Sequence, residues 1–236
     1  MYVLGIESAT PVAAVAVVTE EKILAERMVN NRRTHSVNLL PMMRDVLKDA
    51  GISKQELSGI AVSAGPGSFT GLRIGVSTAR ALAQVLELPV AGVPTLEVLA
   101  HQLQGISGII CPILNARKAE VYAALYQSNE NQLRCIKPAF AASVEKLVEI
   151  LGAFDAHVTF QGDGVTEYGS ALRELLGERA RFVPLSTSYP RAAVVAELGL
   201  RQLKSGAVGS YTTLLPQYVR LSEAEIKWRE RCRAGG

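Results

Sequence analysis

Histidine and cysteine are scarce in this chain, and each shortage closes off a kind of chemistry. The three histidines, His35, His101 and His157, are scattered over 236 residues, and no two stand at the short spacing of a metal-binding pair. The three cysteines, Cys111, Cys135 and Cys232, are odd in number and too far apart for a Cys-x-x-Cys pair. That excludes a disulfide framework or a zinc cluster and points to a reducing compartment, with thiols in or near the core. No Ser or Cys lies near a His in a recognisable nucleophile context. Long apolar runs are missing as well: Val12 to Val18 is far short of the roughly 20 residues that span a bilayer. Glu7 interrupts the opening run and no basic leader precedes it, so a cytoplasmic location is expected. A large excess of one charge is also absent. The net charge of +3 is too small to mark a nucleic-acid surface, which needs clustered Lys and Arg. Basic residues gather only in Lys227, Arg229, Arg231 and Arg233, interleaved with Glu223, Glu225 and Glu230, the pattern of a solvated terminal helix.

What is present is a chain with 48% apolar and 20% charged residues, long enough to bury one large core or to form two lobes. It is organised around Gly59 to Gly75. The β-branched run Ile60 to Val62 reads as a buried strand, and Gly65-Pro66-Gly67 ends it, since Pro fixes φ while Gly permits positive φ. Ser68 and Thr70 then offer oxygens to the free N–H groups of a helix that begins near Gly71 and runs to about Glu87. Gly71, Gly75, Ala79 and Ala83 recur along that helix. A glycine inside a helix costs about 1 kcal/mol relative to Ala, so Gly75 needs a reason, and close approach of another helix is the natural one. The Gly-rich turn itself leaves two readings open: a cradle of backbone N–H groups for phosphate, or a tight strand-to-helix connection. It lacks the Lys of a P-loop and the order of a dinucleotide-binding loop.

In chain order, Tyr2 to Ile6, Val12 to Val18 and Ile23 to Val29 read as three strands. His35 to Ala50 is a helix stopped by Gly51, with Pro41 either kinking it or opening its regular part. Val37, Leu39, Leu40, Met42, Met43, Val46 and Leu47 make it apolar over more than one sheet contact would cover. It shares an exposed docking face with the helix after Gly71, or both are well-buried core helices; the pattern leaves the two open. Ser53 to Glu56 has capping-box spacing. Leu88 to Val93 is a strand and Thr95 to Leu103 a helix. A Gly-rich link at Gly105 to Gly108 divides a lobe of residues 1–104 from one of 105–236. The second repeats the first, with strands at Ile109 to Leu114, Glu120 to Tyr126 and Leu133 to Lys137. A helix from Ser143 to Leu151, a strand at Val158 to Gln161 and a helix at Val165 to Gly177 follow. Arg191 to Ser205 is an apolar helix, Leu214 to Arg220 an extended connection, and Glu223 to Arg233 a final helix.

The string Ser63-Ala64-Gly65-Pro66-Gly67-Ser68-Phe69-Thr70-Gly71-Leu72-Arg73-Ile74-Gly75 resembles the signature of the bacterial TsaB (YeaZ) family, which takes part in making threonylcarbamoyladenosine in tRNA. The resemblance covers essentially the whole chain and is strongest from Val3 to Leu103. It implies an α/β fold of two related lobes with ribonuclease-H-like (actin-like ATPase) topology, each a mixed five-stranded sheet flanked by helices. It also implies a non-catalytic scaffold needed for threonylcarbamoylation of adenosine in tRNAs that read codons beginning with A. Such a subunit pairs directly with TsaD, works with TsaE, meets tRNA only through the complex, and forms a homodimer when alone. The implied interface is Leu40, Met43, Leu47, Leu72, Gly75, Val76 and Ala79. In nucleotide-using relatives a carboxylate on the first hairpin holds Mg²⁺ or positions a nucleophile, and Glu7 occupies that place. With Gly65, Gly67, Ser68 and Asp163 it outlines a vestigial nucleotide site for weak ATP or ADP binding, with no cofactor required. Asn115 stands where similar sequences commonly carry an acidic residue. Thr95 and Leu99 stand where TsaD carries two metal-binding histidines, so no metal site is expected. The alternatives are a nucleotide-dependent phosphotransferase using Glu7 and the Gly65 to Ser68 loop, and, further off, a metallopeptidase.

Overall fold

Strands β1 (Val3–Glu7) and β2 (Ala13–Val18) are buried at every position. β2 is apolar throughout, and β1 up to Glu7, because both faces of their sheet are covered. β2 returns antiparallel to β1, and β3 (Ile23–Val29) antiparallel to β2. β4 (Gly59–Gly65) runs parallel to β1, and β5 (Val90–Pro94) parallel to β4. The order is β3-β2-β1-β4-β5. This computed structural model describes residues 1–31, 33–129, 132–206 and 209–220; the expected helix from Glu223 to Arg233 lies outside them.

A second sheet repeats the plan. It contains β6 (Ile109–Arg117), β7 (Glu120–Asn129), β8 (Gln132–Ser143), β9 (Val158–Gln161) and β10 (Ala180–Phe182), in the order β10-β9-β6-β7-β8. Strand for strand this is the topology of the first sheet, with β6 in the place of β1 and β9 in that of β4. β8 continues well past the expected Lys137 because Pro138 lies on an edge strand, where a missing N–H breaks no ladder.

Helices α1 (His35–Ala50) and α2 (Phe69–Leu86) cover one face of the first sheet. Leu39, Met42, Met43 and Val46 of α1 and Val76, Ala79 and Ala83 of α2 pack with Leu4, Ile6, Val15, Val17, Ile60 and Val62. Pro41 lies inside α1, and Gly51 closes it with φ +69°. Ser68 caps α2, its hydroxyl accepting from the Gly71 N–H at 3.2 Å. α3 (Thr95–His101) sits between the two sheets, where Leu96, Leu99 and Ala100 meet Ile110, Leu114, Ala124 and Tyr126. α4 (Val144–Leu151) and α5 (Gly164–Leu176) pack on the second sheet. No helix among the described residues is long and apolar enough to cross a membrane.

The division at residue 104 does not describe α6 (Ala192–Ser205). Although late in the chain, α6 covers the free face of the first sheet, with Ala192, Val195, Ala196 and Leu200 against Val3, Ala14, Ala16, Ala61 and Val93. Two glycines make the approach. A Cβ on Gly5 would fall 2.2 Å from the Ala192 carbonyl oxygen, and one on Gly199 would fall 2.2 Å from the Ala61 Cβ. The first lobe is therefore a three-layer sandwich completed by a helix from the far end of the sequence.

Candidate functional site

The residues singled out in the sequence sit at the ends of β1 and β4 in the first lobe and near the end of β6 and just after β9 in the second, near enough for Asp163 to act on Glu7. Glu7, the last residue of β1, is fully buried. Its Oε1 accepts the Ala9 N–H at 2.7 Å, and its Oε2 is hydrogen-bonded to the Ser63 hydroxyl. Burial pushes its carboxyl up from 4.5 to about 7; the Ser63, Ala9 and Thr10 bonds oppose the rise, and the Asp163 charge of the second lobe adds to it. The two carboxylates singled out in the sequence are thus within electrostatic reach. Asp163 is itself raised, first by burial, while the N–H groups of Asn115 and Gly164 hold it down. Its Oδ1 accepts the Asn115 N–H at 3.0 Å. Asn115 in turn accepts from the Arg117 N–H at 2.7 Å and donates its amide to Glu167. A carboxyl poised near neutrality suits acid–base chemistry. Glu7, however, has no exposed surface and both oxygens engaged, so here it closes the first hairpin, as Asp163 ties the second to the start of α5.

The Gly65-Pro66-Gly67 turn is similarly occupied. The Ser68 N–H donates to the Ala9 carbonyl at 2.7 Å, and a Cβ on Gly67 would fall 2.2 Å from that oxygen. The Gly71 N–H is taken by Ser68 itself. Gly65, at φ +126°, lies under a strap formed by residues 209–220: the Gln217 N–H donates to the Ala64 carbonyl at 2.6 Å, and a Cβ on Gly65 would fall 2.3 Å from the Gln217 oxygen. The strap is anchored by buried Leu214 and by Tyr218, whose ring lies 4.8 Å from Phe69 and whose hydroxyl accepts from Arg73 Nε at 3.2 Å. Its last described residue, Arg220, pairs with Glu120 of the second lobe at 2.8 Å. The phosphate cradle outlined by Gly65, Gly67 and Ser68 is therefore filled by the chain's own backbone. The sequence reads Leu214 to Arg220 as an extended connection, but nothing in it says that this segment lies over the Gly-rich turn.

Thr95 and Leu99 are fully buried on α3, with the Thr95 hydroxyl unpartnered. Among the described residues no three His, Cys, Asp or Glu side chains gather as a metal site. Of the two described thiols, Cys111 is buried and Cys135 is exposed, which corrects the expectation for the latter.

The two helices first suspected of docking need a larger correction. Met43, Leu72, Gly75, Val76 and Ala79 are buried within the chain, and Leu47 is half-buried. The glycine ridge of α2 seats the first hairpin rather than another helix. A Cβ on Gly75 would fall 2.0 Å from Ser8 Oγ, and the Ser8 hydroxyl donates to the Gly71 carbonyl at 2.9 Å. What remains outside is a different stripe on the same helices. Leu40 is 65% exposed and Val37 55%, and with Pro41, Arg44 and Lys48 they follow helical spacing along α1. Arg73, Ser77, Ala81 and Val85, the last 76% exposed, do the same along α2. A helix as broadly apolar as α1 gives no sign in its sequence of which edge meets the sheet, so buried Met43 and exposed Leu40 look alike there.

Comparison with known proteins places this geometry among relatives. The family described as TsaD, tRNA N6-adenosine threonylcarbamoyltransferase, matches residues 22–228. The tRNA threonylcarbamoyladenosine biosynthesis protein TsaB of Bacillus subtilis is 33% identical over 230 residues, which is 98% of this chain and 99% of that one. YeaZ from Pseudomonas aeruginosa superposes with a TM-score of 0.77 at 27% identity, covering 92% of this chain and 99% of its own. The ROK hexokinase of Thermus thermophilus, at 14% identity and a TM-score of 0.50 over 86% of this chain and 100% of that one, shares the fold alone.

Proposed function

The chain belongs to the TsaB family, within the wider TsaD family, and on that premise we propose that it serves the biosynthesis of threonylcarbamoyladenosine in tRNA as a non-catalytic subunit. It holds a TsaD protein through the outer face of α1 and α2, and TsaE and tRNA reach it through that complex. The observation that supports this reading is the outward stripe of Val37, Leu40 and Val85 on two neighbouring helices whose other large apolar side chains are buried or half-buried. Exposed aliphatic side chains of this size, gathered on one face, mark a partner site. The carboxylate site favours the same reading from the other side, since Glu7 and the Gly-rich turn are satisfied internally.

The direct experiment replaces Leu40 by Asp and measures pairing with TsaD and the threonylcarbamoyladenosine content of tRNA. Leu40 is largely exposed, so folding stability should stay within about 0.5 kcal/mol. A charge in the middle of an apolar contact should weaken pairing by at least about 30-fold, the range of an interface hot spot. Unchanged pairing would remove α1 from the interface. The phosphotransferase alternative requires the isolated chain to turn over ATP with Mg²⁺ and to lose that activity on Glu7→Ala.

A further inference from the structure

The second sheet is covered unequally. α4 and α5 close one face, whereas the other receives α3, seven residues long, over β6 and the near part of β7. The first sheet has α6 in the corresponding layer; among the described residues the second sheet has no such helix. A strip over β7 and β8 is left half open. Tyr122, Leu133 and Ala139 on it are half-buried, Ala141 stands opposite Tyr122, and exposed Cys135 stands opposite Tyr126; cross-strand partners share a face. On the flank of α3 lies Glu97, whose charge acts on Tyr126 and Cys135. Burial pushes its carboxyl up. It makes no hydrogen bond or ion pair among the described residues, since His101, one turn on, is turned to Glu197 at 3.4 Å. A half-buried carboxylate without a partner, at the edge of an apolar strip, calls for a cation.

The chain itself leads one there. Arg220 pairs with Glu120 at 2.8 Å, and both charges act on the Tyr122 hydroxyl, so residues 221–236 set out from one end of the strip. On helical spacing Leu221, Ala224, Trp228 and Cys232 fall on one side, flanked by Arg229 and Arg231. A helix from Arg220 to Cys232 would reach about 18 Å, and the path along β7 from Glu120 to Tyr126 is about 20 Å.

We infer that residues 221–233 complete the second lobe, laying Leu221, Ala224, Trp228 and Cys232 on Tyr122, Ala139, Ala141 and Cys135, with an arginine of the segment against Glu97. The second lobe thereby acquires the third layer that α6 gives the first. A second copy of the chain or an unrelated protein could also cover an apolar strip. What favours the chain's own segment is that it begins beside the strip, has the length to cross it, and carries the cations that Glu97 lacks.

Trp228 is the one tryptophan of the chain, so its fluorescence reports on this segment alone. In the folded full-length protein, diluted until monomeric, acrylamide should quench it at least about threefold less than in urea, as for a packed aromatic ring. With Cys111 buried, a short bis-maleimide should join Cys135 to Cys232 within one chain, seen as a linked peptide by mass spectrometry. Ala139→Arg puts a charge into the apolar contact and should lower the linked fraction about tenfold. Glu97→Gln, which removes only the ion pair, should lower it about threefold with the circular dichroism unchanged, and it carries the test if Ala139→Arg fails to fold. Quenching as free as in urea would overturn the inference, and so would linking indifferent to both variants. Links only between chains, with protection that grows with protein concentration, would overturn it in favour of a second copy. Protection that appears only when another protein is added would overturn it in favour of that partner.

Discussion

Glu7→Gln should make the protein more stable at alkaline pH, and the size of the gain follows from the burial of one carboxyl. Glu7 has no exposed surface and its pKa rises from 4.5 to about 7, principally because burial penalises the charged form. A group that binds its proton more tightly in the folded state contributes stability that is fully present below the unfolded pKa and is lost as pH rises through the folded one. At about 1.4 kcal/mol per pH unit, the interval from 4.5 to about 7 corresponds to roughly 3 kcal/mol. Glutamine matches the protonated carboxyl: its oxygen can still accept the Ala9 N–H, and its amide can donate to the Ser63 hydroxyl. Urea unfolding of both proteins from about pH 4.5 to 8.5 should show similar stability at the acid end. The wild type should then decline, leaving the variant more stable by up to about 3 kcal/mol at the alkaline end. A difference between the two that stays constant across the range would refute the assignment of a raised pKa to Glu7. Asp163 provides an internal control. Asp163→Asn removes the charge that adds to the rise, so the folded pKa of Glu7 falls towards its ordinary value. A lower folded pKa shortens the interval, so the total loss should be smaller and should end at a lower pH.

Two further outcomes follow from the packing. Gly75→Val puts a side chain where the Ser8 hydroxyl now sits, at a Cβ distance of 2.0 Å, and should cost about 2–3 kcal/mol in unfolding experiments as overpacking; unaltered stability would mean that the first hairpin does not rest on α2. Tyr218→Ala removes the contact with Phe69 and the hydrogen bond from Arg73 and should cost about 1–2 kcal/mol. It should also speed proteolytic cleavage within residues 209–220, while a cleavage rate equal to the wild type would show that the strap is held elsewhere.

The fold was largely legible because the decisive signals are local. Short apolar runs rich in Val, Ile and Ala announced covered strands, Gly51 and Ser68 marked helix ends, and the second half repeated the rhythm of the first. β10 was not anticipated, since three residues with an exposed arginine in the middle have no readable period. The placement of α6 was hidden for a different reason: its apolar face fits either sheet, and only the glycines at 5 and 199 decide between them through a backbone approach that no one-dimensional pattern expresses. The same limit applied to the site. Glu7 stands out on the first hairpin through the family resemblance, and Asp163, between Gly162 and Gly164, as the remaining carboxylate of the second lobe, since the second hairpin carries Asn115 instead. The filling of the Gly-rich turn by Ala9 and Gln217 depends on contacts between segments far apart in sequence. The outward stripe was obscured by the breadth of the apolar surface on α1, where Leu40 and Met43 look alike until the sheet is placed beneath one of them.

The return of α6 to the first sheet bears on how this protein is made. On the ribosome, strands one to five emerge with half of their greasy surface bare, and the helix that shields it is synthesised only about a hundred residues later. Early pairing is thus exposed to wrong partners until the end of translation, and a truncation that removes Ala192 to Ser205 should yield insoluble product even though every strand of the amino-terminal sheet is present.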